Sequence, residues 1–311
     1  MSARSNVNLA GVLAVFAAAA LWGTSGIFVR LIVTSENVTP FALAFWRDLF
    51  TFIVLLAVTA LLRPASLRVQ RRDLPWLAAL GGSLGVFHVA WNLGVLTNGA
   101  AVATVQQAAM PAIVAVAARL LWREALTWNK ILAIMLTFTG TMLVTDLDVL
   151  GQSARMPFIH GRRLSALTLP GLLVGLAVPF TYACWNLFAK KVRERCSSLT
   201  TWVYAFGFSA LVLFPFQFFT SQPWPVSPIV CLWFAGLVSL STALPFPIYA
   251  FGLGRLPASV ATILVMTEIP IVSVYAYFLL GERMSPDQIL GAALVVAGVL
   301  LLSWRRMRND E

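Results

Sequence analysis

The chain has 311 residues, of which 59% are hydrophobic and only 11% charged, and its mean hydropathy is +0.85. A soluble globule of this length carries about twice that share of charge, so the composition excludes an ordinary soluble enzyme and points to a chain solvated by lipid. The formal net charge of +10 is compatible with a nucleic-acid partner, but basic side chains beside apolar segments also act as topology signals, and their placement decides between the two.

A spanning helix needs roughly 20 mainly apolar residues. Ten such windows follow one another, at residues 9–30, 40–62, 76–96, 100–121, 130–147, 169–189, 199–219, 228–250, 257–280 and 286–304. Runs such as Ile131 to Val144 and Ile289 to Leu302 are apolar all round, where barrel strands would alternate, so the spans are predicted to be helices. Only Arg4 precedes the first window, which contains Trp22 and is followed by no small-residue cleavage site, so it is expected to be retained as a span. Cys184, Cys196 and Cys231 have neither paired nor metal-site spacing, and no metal or cofactor is expected.

With the N-terminus in the cytoplasm, sixteen of the 22 Lys and Arg residues fall in inside segments, including Arg63, Arg68, Arg71 and Arg72, and Lys190, Lys191, Arg193 and Arg195. Arg30, Arg155, Arg162, Arg163 and Arg283 fall outside, and Arg47 lies within a span. This bias predicts that both termini are cytoplasmic and removes the need for nucleic acid.

The sequence also repeats itself at an offset of 158 residues: Gly94 pairs with Gly252, Val102-Ala103-Thr104 with Val260-Ala261-Thr262, Glu124 with Glu282, Ile131-Leu132 with Ile289-Leu290, and Gly140 with Gly298. Pro111 and Pro270 miss this register by one residue. The expected fold is an all-α polytopic membrane protein of ten transmembrane helices, with one repeat in residues 1–150, a loop at 151–168 and a second repeat in 169–311. Five is odd, so the second half enters the membrane in the opposite sense, an inverted repeat of the kind that builds alternating-access transporters with midplane sites.

Ionisable groups inside a span cost at least ~2.5 kcal/mol and usually face a partner or a wet cavity. In chain order, span 2 holds Arg47 and Asp48, only a third of the way across, where they either snorkel to the outer interface as anchors or serve an outer gate. Span 3 places His88, Trp91 and Asn92 on or near one helical face, and His88 is either a proton relay or a satisfied core histidine. Span 4 contributes Gln107 one turn before Pro111. Span 6 offers Tyr182, Trp185 and Asn186; span 8 offers Phe246 and Tyr249. In span 9, Glu268 precedes Pro270 in what reads as mid-helix, as a site for a substrate ammonium or a proton, or as a structural hydrogen-bonding group.

Aromatic faces with a few amides suit a zwitterion with an apolar side chain. The predicted substrate set is therefore His88, Trp91, Asn92, Gln107, Tyr182, Trp185, Asn186, Tyr249 and Glu268. The predicted gating or coupling set is Arg47, His88, Glu268, Pro111 and Pro270, with further bends expected at Gly94, Pro179, Pro245, Pro247 and Gly252. Trp76, Trp128, Trp224 and Trp304 lie at span ends and fit the interfacial belt.

The stretches Ala20 to Ser25, Phe45-Trp46-Arg47, Pro111 to Gly140 and Glu268-Ile269-Pro270 to Gly298, with the Glu-then-helix pattern of Leu280-Gly281-Glu282-Arg283, resemble the EamA family of the drug/metabolite transporter superfamily over nearly the whole chain. The first half departs from the family tail at Arg123, where the second half has Gly281. The resemblance implies a ten-helix exporter of the bacterial inner membrane with a central cavity. Its nearest likeness is to aromatic amino acid exporters, and the implied cargo is a neutral or aromatic amino acid moving outward. Drugs or other metabolites on the same fold are the alternative.

Two other classes compete. Gly23-Thr24-Ser25-Gly26 and His88 to Asn92 mimic intramembrane serine protease motifs, but in reversed order, and His160, in a loop, cannot reach the serine as its base. Gly81-Gly82-Ser83-Leu84-Gly85 matches a nucleophile elbow in spelling only, since a helix interior is not a strand-to-helix turn; its small residues are expected to let helices approach closely. No enzyme is expected. A passive channel would lack saturation and substrate competition.

Overall fold

The computed structural model describes residues 9–36, 38–110, 112–113, 116, 120, 128–144, 169–193, 195–220, 227–253, 255, 264–265 and 267–309. Pro111, Glu124, His160 and the 151–168 loop, on which several expectations rest, lie outside them. Among the described residues every regular element is helical: α1 (Leu9–Glu36), α2 (Pro40–Leu62), α3 (Leu74–Asn98), α4 (Ala100–Gln107), α5 (Trp128–Val144), α6 (Leu169–Arg193), α7 (Ser198–Leu213), α8 (Pro228–Val238), α9 (Pro245–Leu253), α10 (Glu268–Tyr275) and α11 (Pro286–Asn309). A helix falls in each of the ten predicted windows, and five stretches are long and apolar enough to cross a bilayer: Leu9–Glu36, Pro40–Leu62, Arg71–Asn98, Ser198–Phe219 and Pro228–Tyr249. Shorter apolar helices run over Ile131–Leu143, Leu173–Ala189, Glu268–Leu280 and Pro286–Gly298.

Local chemistry sets the ends. Thr39 Oγ1 accepts the Ala42 N–H at 3.2 Å and Pro40 occupies the first helical position, so α2 starts there. Ser197 caps α7 in the same way through the Thr200 N–H, 3.2 Å away. Between α3 and α4 stands Gly99, at φ +89° and ψ 162°, a conformation open essentially to glycine alone. This corner frees the first N–H groups of α4, and the Glu282 carboxylate accepts those of Ala100 at 3.1 Å and Ala101 at 3.4 Å. Burial raises the Glu282 carboxyl above its ordinary range; the Ala100 N–H, the Arg30 charge and the Ala101 N–H act in the opposite direction.

Two segments wind as π-helix, Ser239–Ala243 and Ala276–Leu280. The first has a direct cause. Pro245 and Pro247 cannot donate to the carbonyls of Ser241 and Ala243, and the Leu244 N–H reaches back five residues to Ser239 O at 3.0 Å.

The polarity is that of a molecule dissolved in hydrocarbon. Leu61, Leu62, Phe218, Phe219 and Phe278 are at least 75% exposed, whereas Arg47, Asp48, His88, Asn92 and Gln106 are buried. Glycines set the closest contacts. A Cβ on Gly140 of α5 would stand 2.5 Å from Gly291 O and 2.8 Å from Val295 N of α11, while one on Gly298 of α11 would press on Ala133 and Thr137 of α5. Residues 133, 137 and 140 are the 158-residue partners of 291, 295 and 298, so the contact is reciprocal. In the same pattern Gly94 of α3 faces Val174 and Val178 of α6, and Gly252 of α9 faces Gly11 and Val15 of α1. Two of the predicted bend sites lie within continuous helices, Gly94 in α3 and Pro179 in α6.

The corner glycines separate two kinds of strain. Gly99→Ala meets both a forbidden backbone and a Glu282 oxygen 3.0 Å from the new Cβ, whereas Gly281, at φ +68°, has nothing within 4 Å. Gly99→Ala is expected to lower stability by about 1–3 kcal/mol and Gly281→Ala by about 1 kcal/mol, measured by thermal unfolding of the purified protein in detergent. Equal effects would contradict the Glu282 contact.

Candidate substrate site

A buried polar knot ties α2, α3 and α7. The His88 Nδ1 lies 2.6 Å from Asp48 Oδ1, and Ser209 Oγ donates to Asp48 Oδ2. With a carboxylate as acceptor, the proton sits on Nδ1. The glycines of α3 make this possible, because a Cβ on Gly85 would stand 2.7 Å from Ser209 Oγ and one on Gly81 would strike Ala205 O at 2.7 Å. The predicted snorkelling of Arg47 and Asp48 is therefore overturned: the two residues lie 6% and 0% exposed, enclosed by neighbouring helices.

Arg47 points elsewhere, since successive helical residues diverge by about 100°. Its Nε donates to Thr242 Oγ1 at 3.1 Å, and the Thr242 hydroxyl itself donates to Leu237 O at 2.8 Å. The neighbouring Ser241 hydroxyl lies 2.6 Å from Thr24 Oγ1 of α1. Both hydroxyls belong to the π-helical segment Ser239–Ala243, which aims adjacent residues at α1 and α2.

Next to these groups runs a continuous aromatic cluster. Trp185 stands 5.2 Å from Tyr182 and 5.4 Å from Trp202 between ring centroids. Phe246 touches Trp202 at 4.5 Å, Trp22 at 5.5 Å and Phe206 at 5.9 Å, and Trp22 touches Tyr249 at 5.3 Å. Phe87 stacks on Tyr182 at 4.9 Å, and the His88 ring lies 5.5 Å from Phe87 and 6.0 Å from Phe206. Five helices, α1, α3, α6, α7 and α9, meet here. Where the sequence predicted side chains lining a cavity, these rings are packed against one another. Trp185 Nε1 is enclosed and has no hydrogen-bond acceptor among the described residues. Glu268 and Tyr249 both lie within electrostatic reach of the Tyr182 hydroxyl.

Tyr182, Trp185, Tyr249, Glu268 and His88 thus come together, and other predicted residues do not join them. Asn92 Nδ2 donates to Pro40 O at 3.1 Å, tying α3 to the start of α2. Trp91, 4% exposed, belongs to the apolar core. The Asn186 Nδ2 is used within its own helix, on Tyr182 O at 3.2 Å. The deeply placed amide of α4 is Gln106 rather than Gln107: Gln106 is 0% exposed and accepts from Asn98 Nδ2 at 3.1 Å, in space that Gly175 leaves open. Glu268 is the first residue of α10, after a turn at Thr267, and not a mid-helix residue. Pro270 falls in that first turn, where a missing N–H leaves no intrahelical bond unmade. Trp22, Trp202, Phe206, Ser209 and Thr242 were missed. The spacing of Trp202, Phe206 and Ser209 at i, i+4 and i+7 marks one face of α7 and was the available signal.

Known proteins resemble the chain in sequence and in fold. The family described as EamA-like transporters matches residues 9–146 and 169–304. The chain is 26% identical over 298 residues to an uncharacterized inner membrane transporter, YicL, of Salmonella typhimurium, covering 94% of this chain and 95% of that one. It is 25% identical over 247 residues to a probable terminal-alkyne amino-acid exporter of Streptantibioticus cattleyicolor, covering 77% and 76%. A protein of known crystal structure superposes with a TM-score of 0.64 at 17% identity, over 97% of this chain and 99% of that one, which establishes likeness of fold alone. With the family pattern covering both halves and the polar side chains turned inward, this chain belongs to the EamA-like transporter family of polytopic membrane proteins.

Proposed function

We propose that the protein exports neutral and aromatic amino acids across the bacterial cytoplasmic membrane by alternating access. The observation that carries this is the aromatic cluster of Tyr182, Trp185, Trp202, Phe246, Trp22 and Tyr249 with Glu268 nearby. Rings hold an apolar side chain and face an ammonium favourably, and Glu268 supplies carboxyl oxygens that can accept from the same ammonium. The outward direction rests on the relative named as an amino-acid exporter.

Ten membrane-crossing helices in two inverted halves, residues 1–150 and 169–311, with both termini cytoplasmic, fit this mechanism. The reciprocal contact of Gly140 and Gly298 is what a two-fold axis relating the halves produces. The turn residues Ala109 and Thr267, 158 positions apart, interrupt corresponding helices, as discontinuous helices do in transporters built from inverted repeats. Rocking one half against the other parts the rings and opens the cavity to one side at a time. Pro111 and Pro270 stand beside these interruptions, where bending is absorbed. The Asp48–His88 pair, with Arg47 beside it, is the site where a proton couples to this movement.

Proteoliposomes tested with a panel of radiolabelled amino acids, with and without a pH gradient, are expected to carry phenylalanine-like substrates in competition with one another. Trp185→Ala and Glu268→Gln are each expected to weaken apparent affinity by about tenfold or more. Unchanged flux in both variants at normal expression would exclude this site. A panel in which only drugs or other metabolites move would reassign the cargo and keep the fold. For coupling, His88→Gln and Asp48→Asn are each expected to flatten the dependence of flux on pH. A pH profile identical to wild type in both variants rules the relay out.

A further inference from the structure

Arg47 has a donor nitrogen that the described residues leave without an acceptor. Its side chain is 6% exposed, yet it forms no ion pair within 4.0 Å among the described residues, and its one hydrogen bond there is from Nε to Thr242 Oγ1. The adjacent Asp48 is committed elsewhere, one oxygen to His88 and the other to Ser209. Arg47 Nη1 is enclosed and has no acceptor. A further enclosed hydroxyl without a partner among the described residues is Thr51 Oγ1, one turn along the Arg47 face of α2.

We propose that Arg47 anchors the carboxylate of the transported molecule, with Thr242 fixing the guanidinium. This rests on the reading of the protein as an amino acid carrier and adds to it where the acid end binds. A guanidinium presents a planar fork of donors that matches a carboxylate two-to-two. With one guanidinium, the Asp48 charge on the next residue and the Thr242 and Thr51 hydroxyls on its side, the site suits a monoanion rather than a phosphate dianion. Phe246 lies one turn beyond Thr242, roughly 6 Å along the helix axis, and faces Trp22 and Trp202. A carboxylate at Arg47 therefore places an attached apolar side chain at the aromatic cluster. Binding also supplies the acceptor that the enclosed Nη1 lacks among the described residues.

The test is thermal stabilisation of the full-length protein in detergent by three probes: phenylalanine, 3-phenylpropionate, which lacks the amine, and phenethylamine, which lacks the acid. Wild type is expected to be stabilised by both acids at concentrations about 10- to 100-fold lower than by the amine. Arg47→Gln is expected to abolish that preference and Arg47→Lys to keep part of it. Should Arg47→Gln not fold, Thr242→Val, which releases the guanidinium without removing it, is expected to weaken acid binding several-fold and leave amine binding unchanged. Equal response to acids and amine, no response to either acid, or a preference that survives both Arg47→Gln and Thr242→Val would overturn the assignment. Amino acid flux with no preference for acids overturns the Arg47 anchor alone. Acids bound through Arg47 without amino acid flux overturn the cargo alone.

Discussion

Hydrocarbon offers no hydrogen bonds, and that single constraint organises the molecule. Polar side chains within the apolar helices are driven inward, and where they meet a partner from another helix they tie the helices together. Asp48 shows this most completely: at 0% exposure it joins α2 to His88 of α3 and to Ser209 of α7. The glycines of α3 follow from it, since larger residues at Gly81 and Gly85 would hold α7 too far away. Phenylalanines and leucines on the outer surface need no partner there, which is why they stand exposed.

The same constraint makes irregular backbone informative. A helix in lipid keeps its backbone bonds unless other groups take them up. The π-helical segment Ser239–Ala243 arises because Pro245 and Pro247 withhold two donors, and its effect is to aim Ser241 at α1 and Thr242 at α2. Gly99 has a comparable role at the other break. Its backbone opens the N-terminus of α4 to Glu282, so a loop beyond α10 closes onto a helix of the first half.

Much of the architecture was legible in the sequence because hydropathy and glycine placement are local signals. The ten windows each hold a helix, and the offset of 158 residues reappears in the contact between Gly140 and Gly298. The site was legible residue type by residue type and less so in its grouping. Tyr182, Trp185 and Tyr249 do share one aromatic cluster, because rings at helical spacing mark a helix face that the sequence displays. Which of Gln106 and Gln107 lies fully buried is a matter of 100° of helix rotation, which composition cannot resolve. Arg47 and Asp48 were placed near the interface by counting residues, but the depth that matters is set by the helices around them. Thr242 carries no signal in the sequence, since hydroxyls in membrane helices commonly bond their own backbone and gain a further role only through a neighbour from another helix.

A carrier differs from a pore in that binding on one side changes the rate of crossing from the other. Counterflow in proteoliposomes tests this most directly. Vesicles loaded with unlabelled phenylalanine and diluted into a trace of labelled phenylalanine should accumulate label transiently above equilibrium, with a rate that saturates as external phenylalanine rises. Uptake that rises linearly with concentration and is indifferent to the loaded amino acid would contradict alternating access at the aromatic site.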